Sequence, residues 1–478
     1  MPPNPFKSFL AVKKQELPFV LLMFTYFFLV IGIFWILKPI KKTLFVDTVY
    51  GDATFNFFTW QLSGPEAEQI AKVANMLVAF VAVVVFTLLA RRLRRHQLTL
   101  VFAGFSAVCM PIFAAVAASP GEFGAWSFYL FGDLFNTLMV ATFFVFLNDS
   151  VTPEKAKRLY GPIVLGGVTG GAVGSLWLAI LVKALAPSTW LLICAGLTVV
   201  LAVIAWAAGR IVDRDPPEKH AVRTEEPAVQ GNAALEGARL VFKSRYLLAI
   251  VTMVALYEIV STVLDYQFTS TVARLAGDFK SHVATTYAVM NAFAFTVQVF
   301  LTSFIMTRFG VRVALLIMPL AIMTNSALFL VAPILLIGSG LNITDNGLNY
   351  SLNQSARESL YTPTNRDEKY KAKAFIDMFV MRAGKSIAVG VNLALFAFFG
   401  PEAVRWLSLF VIALISVWLL AASYAGRRFR ELTGDESPPG SPSSSRRRSQ
   451  ASPVATSSGA FPKPARFSGL SARGHSVT

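Results

Sequence analysis

The chain reads as an all-α integral membrane protein of about twelve helices in two six-helix lobes, and three observations lead there. Of its 478 residues, 55% are hydrophobic and only 15% are charged, where a soluble domain carries roughly 25% charged residues. Apolar runs such as 76–90, 98–118 and 190–208 recur along it, each near the roughly 20 residues that cross a 30 Å hydrocarbon layer. A polar stretch at 209–245 then divides the runs into two sets. Each run is expected to be helical, because hydrocarbon offers no partner for backbone N–H and C=O groups.

Taken in order, the spans are 17–44, 70–90, 98–118, 125–148, 160–183 and 188–208. After the linker come 246–270, 283–306, 311–332, 333–353, 374–399 and 402–425. This gives an N-terminal segment 1–16, a first lobe 17–208, a linker 209–245, a second lobe 246–425 and a tail 426–478. Alternate loops are basic: Lys7, Lys13 and Lys14, then Arg91, Arg92, Arg94 and Arg95, then Lys155, Lys157 and Arg158. Between them stand Asp47, Asp52, Glu66 and Glu68. The positive-inside rule therefore puts both termini and the linker in the cytoplasm. It also accounts for the net charge of +16 without nucleic acid as a partner.

The halves echo each other. Arg91 and Arg95 follow span two as Arg308 and Arg312 follow span eight. Glu154-Lys-Ala-Lys157 precedes span five as Glu368-Lys-Tyr-Lys-Ala-Lys373 precedes span eleven. Such repeats, with the substrate site between them, characterise secondary transporters. The tail is rich in Ser, Pro, Gly and Arg, with little to pack, and disorder is expected there. Its arginines at 446–448 are read as solvated. The N-terminus has neither a cleavable signal nor the look of a transit peptide, so span one is expected to stay in place. Cys109 and Cys194 fall inside apolar spans and read as packing residues.

Ionisable residues inside spans are the informative ones, because each costs a few kcal/mol without a partner or water. Glu258 lies near the middle of span seven. It is either bonded to a neighbouring helix or a substrate- or proton-linked carboxylate. Arg382 and Lys385 share a face of span eleven and need an anionic partner, from Asp377 one turn earlier or from a ligand. Lys38, Lys41 and Lys42 close span one, either facing a vestibule that attracts anions or snorkelling to headgroups. Asp133 with Asn136 in span four, and Asp345 with Asn342, Asn346 and Asn349 in span ten, point to a wet cavity.

Two motif-like strings are discounted. Gly384-Lys385-Ser386 resembles the end of a phosphate loop, but Phe379 stands where the leading Gly belongs and no strand precedes it. Gly166, Gly170 and Gly174 are four apart, as in close helix–helix contacts. Four His and two Cys without ligand spacing give no metal site. No nucleophile–base set is visible, so no catalytic residues, cofactor or enzyme activity are expected.

These charged positions also carry a family resemblance. The chain resembles the ATP/ADP antiporter family of nucleotide transporters, found in plastids and obligate intracellular bacteria, with a major-facilitator-like fold. The strongest likeness runs from Arg357-Glu-Ser-Leu-Tyr-Thr-Pro363 through Glu368-Lys-Tyr-Lys-Ala-Lys-Ala-Phe-Ile-Asp377 to Arg382-Ala-Gly-Lys-Ser386. Lys38-Pro-Ile-Lys-Lys-Thr-Leu44 resembles the family's end of span one, with Lys42 where an acidic residue is usual. Ala156-Lys-Arg-Leu-Tyr160 and Glu258 are similar to family features in spans five and seven.

The resemblance implies nucleotide or related organic-phosphate transport by alternating access, and the want of a transit-peptide look at the N-terminus favours a bacterial inner membrane. Lys38, Lys41, Glu258, Arg357, Lys373, Arg382 and Lys385 would bind substrate, with Glu258 and Asp133 in coupling. Two other readings stay open. One is a proton-coupled carrier of another organic anion or drug. The other is a non-transporting scaffold, which requires Glu258 and Lys385 to be paired and sealed from water.

Overall fold

The computed structural model describes residues 12–57, 60–90, 92–93, 95–214, 231–364, 371–373 and 375–433. The chain first runs through α1 (Leu17–Thr43), extended by a π-helical stretch Leu44–Val49, then a two-strand hairpin of β1 (Phe55–Phe57) and β2 (Trp60–Leu62). Next come α2 (Gly64–Ala90), α3 (Arg95–Ala118), α4 (Glu122–Ser150), α5 (Pro153–Leu181) and α6 (Pro187–Arg214). The second half holds α7 (Gly231–Lys243), α8 (Arg245–Leu275), α9 (Phe279–Thr296), α10 (Thr302–Arg308), α11 (Gly310–Val331), α12 (Leu335–Leu348) and α13 (Gln354–Ser359). It ends with α14 (Met381–Phe399) and α15 (Ala403–Thr433). Single π-helical turns at Val297–Leu301, Asn349–Asn353 and Ile376–Val380 join or precede helices of this half.

Ten stretches among the described residues are long and apolar enough to cross a membrane, and the protein is a multi-pass membrane protein. The longest, Met381–Thr433, joins α14 and α15 across a break where Gly400 adopts φ +60°, a backbone conformation costly for other residues. The stretch from α12 to α13 is too polar to qualify, because Asn342, Asp345, Asn346 and Asn349 all lie on it.

Two expectations need correction. Glu66 and Glu68 are not loop residues. Glycine and proline start α2 at Gly64 and Pro65, ahead of the apolar run, and both carboxylates are buried in its first turns. The 209–245 linker holds α7 at its end. The last helix runs on to Thr433, where Arg428 donates to Glu431 at 2.7 Å, three residues on; such pairs support helix. The rest of the expected tail lies outside the described residues.

Two hydrophobic cores form, one from residues 19–208 with Ala284, the other from residues 241–425. The glycine stripe of α5 explains how tightly the first packs. A Cβ added at Gly166, Gly170 or Gly174 would lie 2.3, 2.2 or 2.6 Å from the carbonyl oxygens of Phe24, Phe28 and Gly32 on α1. Only glycine lets the two backbones meet this closely. A third, smaller core joins both halves at the far end of α1, with Trp35, Phe45 and Tyr129 against Phe268, Val283 and Tyr287. Between the two large cores, and bounded by this third one, lies a cavity.

Candidate functional site

The cavity has a volume of about 550 Å³ and is lined from both halves of the chain, within the size range of small-molecule sites. Among the described residues, seven basic side chains line it, Lys38, Lys41, Lys42, Lys72, Arg357, Arg382 and Lys385. Four carboxylates face them, Glu68, Asp133, Glu258 and Asp265. The excess is three positive charges. Of the eight residues expected to bind or couple, seven line this cavity. Lys373 does not: it reaches Glu358 at 2.8 Å in an exposed pair.

The end of α1 delivers three lysines to one side, because residues three and four apart on a helix share a face. Lys38 lies over the faces of Trp35 (4.6 Å) and Tyr287 (5.0 Å). Lys41 forms an ion pair with Asp133 on α4 and sits 4.2 Å above the Tyr129 ring. Its stem passes over Gly132, where a Cβ would stand only 2.8 Å from Lys41 Cδ. Asp133 also accepts from the Asn75 amide on α2. The snorkelling alternative for these lysines is therefore set aside, since all three point inward.

Lys42 belongs to a polar cluster between the halves. Its ammonium lies 3.1 Å from Asp265 on α8 and 3.4 Å from Glu68 on α2, and it donates to Thr269 at 2.5 Å. Lys72 reaches the other oxygen of Asp265 at 2.5 Å. Around them the Tyr266 hydroxyl donates to Glu66 at 2.6 Å and Asn392 donates to Gln69 at 3.2 Å. Every one of these bonds except Lys42–Glu68 crosses from the first half to the second. Desolvated charges of this kind tolerate burial only when paired. Together with the third aromatic core they close the cavity at this end.

Away from that closure, Gly384 brings α14 against α8, its absent Cβ leaving room for Glu258 Cβ and the Ala255 carbonyl. Lys385 consequently lies 3.6 Å from Glu258. The carboxylate is nearly buried, but Lys385 is 49% exposed, so the pair is not sealed from water as a scaffold would require. Lys38, Arg357 and Arg382 have no ion pair with any described residue, and the Arg357 Nη1 is buried without a hydrogen-bond partner. These three cations match the surplus charge. The side chain of Asp377, the expected partner of Arg382, lies outside the described residues.

The sequence reading passed over Glu68, Lys72, Asn75 and Asp265, and the aromatic lining of Phe34, Tyr129, Tyr257, Tyr287 and Tyr350. Asp265 could have been found, as a lone acid in span seven carries the same signal as Glu258. Asp345, read as part of a wet face, is buried outside the cavity lining and accepts from Ser261 at 2.6 Å.

The sequence model of the TLC ATP/ADP transporter family matches residues 4–336 and 330–429. The chain belongs to that family. The ADP,ATP carrier protein 1 of Chlamydia muridarum is 24% identical over 491 residues, covering 88% of this chain and 91% of its own length. The chloroplastic ADP,ATP carrier protein 1 of Arabidopsis thaliana is 24% identical, over 65% of this chain and 55% of its own. Among solved structures, a variant of the nucleoside transporter NupG superposes with a TM-score of 0.59 at 14% identity, covering 86% of this chain and all of NupG. The major facilitator transporter FucP, outward-facing, gives 0.51 at 15% identity, covering 86% and 99%. At such identities these two establish the major-facilitator fold of the family member and nothing about its cargo.

Proposed function

We propose that this protein exchanges nucleotides of the ATP and ADP type across a membrane by alternating access between its two halves. The observation that carries the reading is the cavity's surplus of three positive charges on Lys38, Arg357 and Arg382, a fit to the three or four negative charges of a nucleoside di- or triphosphate. Arginine favours phosphate through its planar, two-pronged donors. The aromatic lining offers faces for a base. In this reading Lys41 and Lys385 complete the phosphate cradle, Asp133 and Glu258 hold them between substrates, and Lys373 orders the adjoining segment through Glu358. The residue ranges 17–208 and 246–425 form two lobes of six crossings each. Both termini and the linker lie in the cytoplasm of a bacterium, with the protein in its inner membrane.

Calorimetric binding of ATP, ADP, AMP and adenosine to the purified protein tests the charge argument. Affinity should fall as phosphates are removed, and Lys38→Gln combined with Arg382→Gln should flatten the series. Adenosine binding as tightly as ADP would overturn it.

One observation favours a second reading, proton-coupled transport of another organic anion. Asp345 is buried, accepts from Ser261 and leaves its second carboxyl oxygen without a partner, an arrangement suited to carrying a proton. Uptake driven by a proton gradient into vesicles without internal nucleotide would support that reading over exchange.

A further inference from the structure

We propose that the second half of the protein carries a separate anion site, at the edge of the membrane, that holds the phosphate headgroup of an acidic phospholipid. It lies where α8 begins and α15 ends, in a cavity of about 460 Å³ apart from the central one. Three arginines line it, Arg245 from the first turn of α8 and Arg427 and Arg428 from α15, with a single carboxylate, Glu431. Glu431 pairs with Arg428 at 2.7 Å. Arg245 and Arg427 have no ion pair with any described residue. The pocket therefore holds two uncompensated positive charges. At the start of α8 the Ser244 hydroxyl accepts from the Leu247 N–H at 3.3 Å, which leaves the N–H groups of Arg245 and Tyr246 without a helical carbonyl, at the positive end of the helix dipole.

The level of the pocket in the membrane is read from its own helices. Leu248 follows Arg245 by one turn, and Val417 and Leu420 precede Arg427 by two to three turns; all three side chains are exposed on helices that cross the bilayer. Exposed leucine and valine on a spanning helix face lipid. Arg245 thus stands roughly 5 Å, and Arg427 roughly 10 Å, beyond lipid-facing side chains at 1.5 Å of rise per residue. That is where headgroups lie, and basic pockets between spanning helices bind acidic headgroups there. A free phosphate would share the same chemistry but gain nothing from the lipid-facing Leu248 and Leu420 further along the two helices, whereas the acyl chains of a phospholipid reach them. The inference stands whatever the central cavity carries.

The test is native mass spectrometry of the purified full-length protein, titrated with phosphatidylglycerol, with phosphatidylcholine, and with inorganic phosphate as a competitor. Phosphatidylglycerol should be retained in preference to phosphatidylcholine. Each arginine near a membrane surface contributes about fivefold in affinity, so Arg245→Gln with Arg427→Gln should lower that preference roughly 25-fold. Glu431→Gln, which frees Arg428, should raise it, a gain that misfolding cannot produce. An unchanged preference in both variants would overturn the site. Displacement of phosphatidylglycerol by millimolar inorganic phosphate, with phosphate bound in its place, would overturn the lipid and leave a soluble-anion site.

Discussion

Replacing Asp265 by Asn should open the closed end of the cavity. Asp265 is the acceptor on the second half for two lysines of the first, Lys42 at 3.1 Å and Lys72 at 2.5 Å. Breaking a buried ion pair costs about 3–5 kcal/mol when the orphaned charge stays buried. Here the cost is lower, because Asp265 and Lys72 keep about a fifth of their side-chain exposure and Lys42 keeps Glu68 at 3.4 Å. About 2–3 kcal/mol is a reasonable figure, and it falls on the closed arrangement alone, since both lysines become hydrated when the halves part. At about 1.4 kcal/mol per tenfold change, the closed-to-open ratio should drop roughly 30- to 150-fold. Spin labels at Asp52 and Gly277, both exposed in the loops at this end, can read the change; a side chain at Gly277 meets nothing within 4 Å. In a background with Cys109 and Cys194 replaced by Ala, the Asp265→Asn distance distribution should move to longer separations. An unchanged distribution would refute the assignment of this cluster as the closure.

The close contact between α1 and α5 makes a second expectation. Gly170→Val drives a side chain into the Phe28 carbonyl and should cost about 3 kcal/mol, backbone against backbone leaving no rotamer to escape into. Gly390→Val, at a position open to space, should be near neutral, and thermal unfolding in detergent separates the two. Gly132→Ala should instead act on function. It displaces the Lys41 stem, a flexible neighbour, so nucleotide KM should rise about fivefold, the equivalent of about 1 kcal/mol in ion-pair and positioning energy, with little change in unfolding temperature.

Much of the fold was legible because the bilayer imposes a simple rule on sequence, long apolar runs with charges only where protein or water receives them. That rule drew attention to Lys38, Lys41, Glu258, Arg382 and Lys385 before any coordinates. It failed at α2, where the hydropathy run begins several residues after the helix does, so Glu66 and Glu68 read as loop acids. Lys72 was lost for the same reason, sitting at the margin of a run. Pairings were out of reach: Lys42 meets Asp265 across 223 positions of sequence, and no local pattern encodes that. The π-helical turns near Asn349 and before Arg382 have no sequence signature either, yet they adjoin cavity residues, as π-turns often adjoin functional sites. Lys373 presents the opposite case. A motif places it beside site residues in sequence, while Glu358 holds it outside the cavity lining.

The central claim is exchange of nucleotides through the charged cavity, and transport into liposomes tests it most directly. Radiolabelled ATP would be supplied outside vesicles preloaded with ADP, with inorganic phosphate or with buffer, for the native chain and for Lys385→Ala. The account predicts uptake that depends on internal ADP and is lost in Lys385→Ala while that variant unfolds at an unchanged temperature. Uptake that ignores what is inside, or full activity in Lys385→Ala, would contradict it.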